Sequence, residues 1–215
     1  MKITIFIPTA SVEGPRPTPW FQSLLDAGVR YYKNQGAHSA ITFVISGRWN
    51  NTQEKYEEDE STVGARYIQD LLPDTQVLKE TLAVETGGNF AFSKPFIALT
   101  KPDKVVIVNA KVKQPRTEYL ANKIFGTAYT YEYVWVEDTF SENPRAQAKE
   151  PKALAMFKKL FDGITDGDDA AARDILLYKT PFYYWDITDN EAFFNKYWPG
   201  GFEDFKEKRL SIDNK

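Results

Sequence analysis

The sequence contains no cysteine and only one histidine, and these absences exclude several classes of site. Without cysteine the chain forms no disulfide, thiolate metal site or cysteine nucleophile, and this composition fits a reducing compartment. The single histidine, His38, falls between a predicted helix and a predicted strand, so we interpret it as a solvated loop residue. One histidine at that position supports neither a Ser-His triad nor a histidine-based metal site.

Long apolar runs are also absent. The N-terminal run, residues 3–7, is too short for a signal peptide or a membrane span, and no later run is long enough. A net charge of −3 argues against a general nucleic-acid or anionic-membrane surface but permits a local basic pocket. We therefore expect a soluble, cytoplasmic protein with neither a nucleic-acid nor a membrane partner.

The 215 residues, 42% of them hydrophobic, suffice for one domain with a sizeable core and an appendage. Apolar patterning predicts strands at residues 3–7, 41–45, 76–79, 105–109 and 129–136. Helices are predicted between them at 20–34, 60–72, 86–99 and 115–125, the third with Thr86 as N-cap and a kink or break at Pro95. After residue 144 the pattern contains helices only, at 151–161, 168–179, 191–197 and 202–209.

Alternating strands and helices are typical of a parallel sheet with crossover helices. We predict a Rossmann-like three-layer α/β/α sandwich with about five parallel strands, residues 1–144, which forms a ligand-binding domain. A C-terminal helical extension, residues 145–215, is predicted to pack on the same domain.

A basic segment follows the fourth predicted strand. The strand ends in Asn109, and Lys111, Lys113 and Arg116 come next. Ligands of open α/β sheets bind beyond the carboxyl ends of the strands, so these cations lie where a ligand is expected and favour a negative one. The loop after the first strand, residues 9–19, is rich in proline and lacks the glycine spacing of a dinucleotide fingerprint, which argues against a standard NAD site.

Polar residues follow the other predicted strands as well, and we predict one pocket for a small anionic molecule. The helix that begins near Thr86 offers free N–H groups and a dipole to an anion, and its two glycines allow close approach. Alternatively, Thr86 only caps the helix, the glycines only turn the chain and the basic side chains are solvated. The predicted ligand-binding residues are Thr9, Ser46, Gly47, Arg48, Glu60, Thr86, Gly87, Gly88, Asn89, Asn109, Lys111, Lys113 and Arg116, and no metal ligand is predicted.

Glu80, at the end of the third predicted strand, is the candidate catalytic residue. A carboxylate there suits a general base or a contact to a ribose or an amine. Alternatively, Glu80 forms a salt bridge with Arg48 or Arg116 that holds the loops together. For Lys113 we favour binding over catalysis, because a lysine with an ordinary pKa of about 10.4 is a poor proton shuttle unless it is desolvated.

Two other groups have structural interpretations. Asp166, Asp168 and Asp169 lack the loop of a calcium-binding EF hand, so helix capping is the better explanation. The aromatic-rich segment from Phe182 to Phe205 suits either a core between the extension and the sheet or a stacking lid for a nucleobase, and we favour the core.

Five short motifs occur in the order and spacing of the YdcF/SanA/ElyC family of domains of unknown function. Ser46-Gly47-Arg48 stands at the family's Ser-Gly-Gly turn, and Glu60 at its acidic helix start. The remaining matches are Glu80, Ala83, Thr86 and Asn89 for E-x-x-S-x-x-T-x-x-N, Val108, Asn109, Lys113 and Arg116 for V-T-x-x-x-H-x-x-R, and Gly167, Asp168, Ala171, Thr180, Pro181 and Tyr183 for G-D-x-x-A and H-P-x-Y.

Over residues 3–183 the chain resembles this family, and most closely its soluble YdcF-type members. The resemblance implies a bacterial-type protein linked to the cell envelope, and S-adenosylmethionine as a ligand, but not the membrane anchor of SanA- and ElyC-type members. Both family histidines are replaced, by Lys113 and Thr180, which moves our expectation from catalysis towards anion binding.

We therefore predict that the carboxyl ends of the strands bind a small anionic ligand, either phosphate-bearing, nucleotide-like or S-adenosylmethionine-like. The protein is then a binding protein or a degenerate enzyme. One alternative is an active phosphoester hydrolase or transferase that uses Glu80. Another is a scaffold protein that uses the aromatic C-terminal surface.

Overall fold

Five parallel strands form the centre of the computed structural model, which describes residues 1–36, 40–48, 58–137, 141–183 and 190–210. His38, Tyr184 and Trp185 lie outside the described residues. With the two short strands of a separate hairpin, β2 and β3, the described strands in chain order are β1 (Lys2–Pro8), β2 (Val12–Glu13), β3 (Arg16–Pro17), β4 (Ala40–Ser46), β5 (Gln76–Glu80), β6 (Lys104–Ala110) and β7 (Thr130–Val136).

The sheet has the strand order β5-β4-β1-β6-β7, and every neighbouring pair in it is parallel. The predicted parallel α/β fold is confirmed, with the fifth predicted strand, β7, at an edge. The antiparallel hairpin of β2 and β3 was not predicted. Each of its strands has only two residues, too few to show an alternating pattern in the sequence. Gly14 makes the turn between them with a φ of 57°.

Eight α-helices lie within the described residues. They are α1 (Pro19–Lys33), α2 (Glu60–Leu71), α3 (Thr86–Thr100), α4 (Gln114–Leu120), α5 (Pro144–Leu160), α6 (Asp169–Lys179), α7 (Asn190–Tyr197) and α8 (Gly201–Leu210). A 3-10 turn, Lys111–Lys113, precedes α4, and a π-helical turn, Ala121–Phe125, continues it to Gly126. In the described ranges no helix combines the length and the apolar character that a membrane crossing requires.

The prediction that Pro95 kinks or breaks its helix is wrong, because α3 continues past it to Thr100. A proline inside a helix removes the N–H that would bond the carbonyl four residues earlier, here that of Ala91. Arg173 of α6 donates a hydrogen bond to this carbonyl at 3.3 Å. The extension thus supplies the bond that Pro95 cannot make.

The helices cover both faces of the sheet because the side chains of each strand alternate between the two faces. Ile3, Ile5 and Ile7 of β1 pack with α1 and α2, whereas Phe6 packs with α3, the segment around α4 and the C-terminal helices. The central strands are buried on both sides, which explains the uninterrupted apolar run of β6.

The described aromatic residues from Phe182 to Phe205 belong to the core on the Phe6 side of the sheet. Phe193, Phe194 and Trp198 are buried, and the ring of Phe194 stacks on that of Phe205. Asp168 caps α6 by accepting a hydrogen bond from the Ala171 N–H, which confirms the capping prediction for this aspartate. The helical extension is therefore packed against the same sheet that carries the candidate site.

Candidate functional site

Buried polar side chains collect at the carboxyl ends of the strands. Thr9 follows β1, Ser46 and Glu80 end β4 and β5, and Asn109 is the second-last residue of β6; all four are buried. The strand order reverses between β1 and β6, and an open α/β sheet forms its ligand crevice at such a point. The structure thus brings these predicted residues together at the end of the sheet where the strands have their carboxyl termini.

Both carboxylate oxygens of Glu80 are engaged within the protein. Ser46 Oγ donates to Oε2 at 2.6 Å, and the N–H groups of Leu82 and Ala83 donate to Oε1 at 2.5 and 3.0 Å. Burial raises the pKa of Glu80, and these three hydrogen bonds oppose that rise. Glu80 therefore holds the loop after β5 through hydrogen bonds, and the salt bridge to Arg48 or Arg116 that was the alternative to a catalytic role is not formed.

Gly47, which follows β4, connects this strand to β5 and α2 through backbone hydrogen bonds. Its N–H donates to the Glu80 carbonyl, and its own carbonyl accepts from the N–H of Ser61 in α2, each at 3.0 Å. The φ of Gly47 is 146°, and a Cβ at this position would lie 1.7 Å from Thr9 Oγ1. Only glycine fits here, so its role is to let Thr9 and the strand ends approach each other. The next residue, Arg48, is exposed on the rim, with Nε 4.0 Å from Asp59.

The first turn of α3 binds a carboxylate of the chain itself. Glu85 is the N-cap, and its two oxygens accept hydrogen bonds from the Gly87 and Gly88 N–H groups at 2.5 Å each. The Tyr183 hydroxyl donates to the same carboxylate at 3.2 Å. The prediction of Thr86 as N-cap is wrong, and the N–H groups expected to hold a ligand anion already have an acceptor.

The two glycines of this turn allow close packing of aromatic rings. A Cβ on Gly88 would lie 2.0 Å from the Tyr183 hydroxyl oxygen, and one on Gly87 would lie 2.6 Å from the Phe157 ring. Asn89, one residue on, has its backbone and side-chain oxygens 3.2 and 3.3 Å from Ser46 Oγ. These residues therefore connect α3 to β4 and to the C-terminal helices.

We expect Glu85→Ala to lower the free energy of unfolding by about 1–2 kcal/mol, as loss of an N-cap does. Thr86→Ala, its matched control on the neighbouring residue, should change it by less than about 0.5 kcal/mol, because Thr86 does not cap the helix. Urea unfolding of both variants at pH 6 measures the difference, because burial raises the pKa of Glu85 to about 7 and ionisation of this carboxyl above that pH costs stability. A larger loss for Thr86→Ala would contradict the assignment of Glu85 as the cap.

A buried acid and a buried amine lie where the strand order reverses. Burial and the nearby charge of Arg116 lower the pKa of Lys113 to about 7. Its Nζ lies 4.4 Å from the centre of the Trp20 ring. Burial also raises the pKa of Glu60, the first residue of α2, to about 7, while a hydrogen bond from Thr9 and the charge of Lys113 oppose the rise. Perturbed groups of this kind mark candidate functional sites.

Arg116 and Glu150 form an ion pair beside this cluster. Arg116 Nη2 donates to Glu150 Oε1 at 2.8 Å, and each side chain is only 9% exposed. Within the part of the chain that the structure describes, Arg116 Nε and Glu150 Oε2 have no hydrogen-bond partner. The pair forms part of the wall of a cavity of about 280 Å³ whose lining residues are Val112, Pro115, Arg116, Gln147, Glu150, Pro151 and Leu154.

Comparison with known proteins adds no identification. No protein-family model matches the chain, and no curated protein matches it. The resemblance to the YdcF/SanA/ElyC family accordingly stays a prediction.

Among the described residues, no three His, Asp or Glu side chains are grouped so that they could hold a metal ion.

The remaining predicted residues have different positions. Asn109 donates from Nδ2 to Thr117 Oγ1 at 2.9 Å and accepts from the Ala110 N–H, so its amide shapes the turn before α4. Lys111 is exposed. A second cavity, of about 450 Å³, lies between α6 and the loop that precedes it; Asp162 and Lys179 are in its wall, and none of the strand-end residues are.

Sequence reasoning did not assign Trp20, Glu85 or Glu150 to the site. Glu150 was missed because a helix was predicted to begin at Pro151, whereas α5 begins at Pro144. Asn143, which caps α5 by accepting from the Arg145 N–H, was the signal for the true start.

Proposed function

We propose that this protein binds a small anionic ligand in the crevice between the carboxyl ends of β1 and β6. The observation that carries this proposal is the burial of two cations, Lys113 and Arg116, next to each other at that point. Removing like charges from water costs free energy unless a negative group offsets them. Glu150 pairs with Arg116, and the charges of Glu150 and Glu60 already favour protonated Lys113; an anionic ligand beside Arg116 would add to this negative charge.

The surroundings favour a small ligand. Pockets for drug-sized molecules have volumes of about 300–1,000 Å³, and the cavity between Arg116 and α5, whose wall does not include Lys113, measures about 280 Å³. A short carboxylate or phosphate compound suits this volume better than a nucleotide or S-adenosylmethionine. Since Glu85 already accepts the hydrogen bonds of the α3 N-terminus, we assign the anionic group of the ligand to Lys113 and Arg116.

The alternative functions have less support. Glu80, the candidate base of a hydrolase or transferase, accepts three hydrogen bonds from groups that hold its loop. Glu60 suits proton transfer better, because its pKa of about 7 allows both protonation states near neutral pH. The described aromatic residues of the C-terminal helices are largely in the core, which leaves little of that surface for a scaffold role.

Thermal unfolding at low salt tests the proposal with inorganic phosphate, pyruvate, adenosine monophosphate and S-adenosylmethionine. A ligand that binds only the folded state raises the melting temperature with its concentration. We expect the rise with phosphate or pyruvate to be larger at pH 6 than at pH 8, because Lys113 is protonated below its pKa of about 7. Lys113→Met should remove the rise.

Lys33→Met is the matched control, because Lys33 is an exposed lysine at the end of α1. This variant should keep the full response to anions. The proposal fails if none of the four compounds raises the melting temperature, or if the rise is the same in Lys113→Met.

A further inference from the structure

We propose that Lys113 forms a Schiff base with a small carbonyl compound that also carries a negative charge. The chemical class is that of α-keto acids and of short aldehydes with a carboxylate or phosphate group. The inference rests on the anion site proposed above and adds a covalent step to it. Lysine amines form such imines with carbonyl substrates when their environment keeps them unprotonated.

The position of Lys113 distinguishes it from the exposed lysines of the chain. It ends the 3-10 turn after β6, is 8% exposed, and has the Trp20 ring 4.4 Å from its Nζ. Arg116 follows three residues later in the first turn of α4, close enough for its charge to act on the amine. An anionic group held by Arg116 would therefore bring the adjoining carbonyl carbon of a short molecule towards Lys113.

The charges around Lys113 come from three helices. Arg116 in α4 and Lys149 in α5 disfavour the protonated amine, whereas Glu60 in α2 and Glu150 in α5 favour it. Together with burial these groups give Lys113 a pKa of about 7, so about half of the amine is neutral at pH 7. A desolvated lysine beside a second cation is a recognised form of activated amine nucleophile.

Glu60, a buried acid whose charge acts on Lys113, is the candidate proton donor of this step. The neutral Nζ attacks the carbonyl carbon, the C=O π electrons move to oxygen, and one proton passes from nitrogen to that oxygen, giving a carbinolamine. Protonated Glu60 then gives its proton to the hydroxyl group, which leaves as water while the nitrogen lone pair forms the C=N bond. The products are an iminium on Lys113, water and the Glu60 carboxylate, so the charges balance.

Reductive trapping tests the inference on the intact chain. The protein is incubated with pyruvate and sodium cyanoborohydride at pH 7, and the modified lysines are identified by peptide mapping with mass spectrometry. We expect a carboxyethyl group on Lys113 to form at least about tenfold faster than on any exposed lysine, because an amine with an ordinary pKa is almost entirely protonated at this pH. Inorganic phosphate, which competes for the anion site, should slow the reaction at Lys113 only.

Two variants separate the covalent step from ligand binding. Lys113→Arg keeps a cation but has no nucleophilic amine, so it should keep a melting-temperature rise with pyruvate and lose the trapped product. Lys33→Arg should behave as the natural chain in both measurements. Circular dichroism checks folding, and the peptide map of the natural chain decides the question even if Lys113→Arg does not fold.

The outcomes distinguish the two proposals. Modification spread evenly over exposed lysines, together with a pyruvate-dependent rise in melting temperature, overturns the Schiff base and leaves the anion site standing. No rise with pyruvate or phosphate, and no preferred lysine, overturns both proposals.

Discussion

Lys113→Met is expected to raise the free energy of unfolding at pH 7 by about 2–4 kcal/mol. The folded protein holds this amine with a pKa of about 7, against an ordinary value of 10.5. Each unit of difference corresponds to about 1.4 kcal/mol that the folded state loses relative to the unfolded chain. Methionine has a similar length, fits an apolar environment and carries no charge to desolvate, so it removes most of this penalty.

The gain should depend on pH in a defined direction. Below pH 7 the amine is protonated in both states and the penalty is fully present. Between pH 7 and 10.5 the unfolded chain binds a proton that the folded chain does not, so the stability of the natural protein rises with pH and approaches that of the variant. Glu60 has the opposite effect at lower pH: its pKa is raised from 4.5 to about 7, so ionisation costs stability as pH rises through that range.

Urea unfolding of the natural chain, Lys113→Met and Lys33→Met from pH 6 to pH 10 measures these effects. The difference between the natural chain and Lys113→Met should shrink as pH rises above 7, whereas Lys33→Met should follow the natural chain. Parallel curves at every pH would show that Lys113 is not desolvated in the folded state. A substitution that stabilises the protein yet removes its response to anions is the pattern expected where a site is kept for function at a cost in stability.

The sheet was predictable because its strands are buried on both faces. Val105 to Val108 form an uninterrupted β-branched run, and β1 and β4 have similar runs, so local composition and burial point to the same structure. The spacing of Phe21, Leu24 and Leu25 likewise predicts the buried face of α1. These features depend on residues that are close together in the sequence.

The errors concern contacts between distant residues. Pro95 is accommodated because Arg173, far along the chain, bonds the carbonyl that the proline leaves open. Thr86 is the better N-cap by residue type, but the missing side chains of Gly87 and Gly88 and the hydroxyl of Tyr183 favour the Glu85 carboxylate. Neither contact can be inferred from the residues that neighbour Pro95 or Thr86 in the sequence.

The position of the candidate site was predictable from the sequence, but the burial of its side chains was not. The sequence put Lys113 and Arg116 at the carboxyl end of β6, where the structure also has them. It assigned Lys113 an ordinary pKa, because the packing of Trp20 and α5 around it cannot be inferred from neighbouring residues. That burial is what changes the amine from a simple anion contact into a candidate nucleophile.

Arg116→Met is expected to lower the free energy of unfolding by about 3–5 kcal/mol. It would leave the Glu150 carboxylate buried without its partner, and an uncompensated buried charge is far more costly than a buried pair. Glu150→Leu should have a loss of similar size, because Arg116 would then lie beside Lys113 with no carboxylate bound to it. Urea unfolding of both single variants and of the double variant gives the complete cycle.

The double variant Arg116→Met/Glu150→Leu should regain most of the lost stability and fall within about 1 kcal/mol of the natural protein, since apolar residues often replace a buried ion pair at little cost. Two small, additive losses would instead indicate that water reaches the pair. The double variant also separates fold from function: a folded protein that no longer responds to phosphate would show that Arg116 is kept for the ligand. An unchanged response would leave Lys113 as the only cation of the anion site.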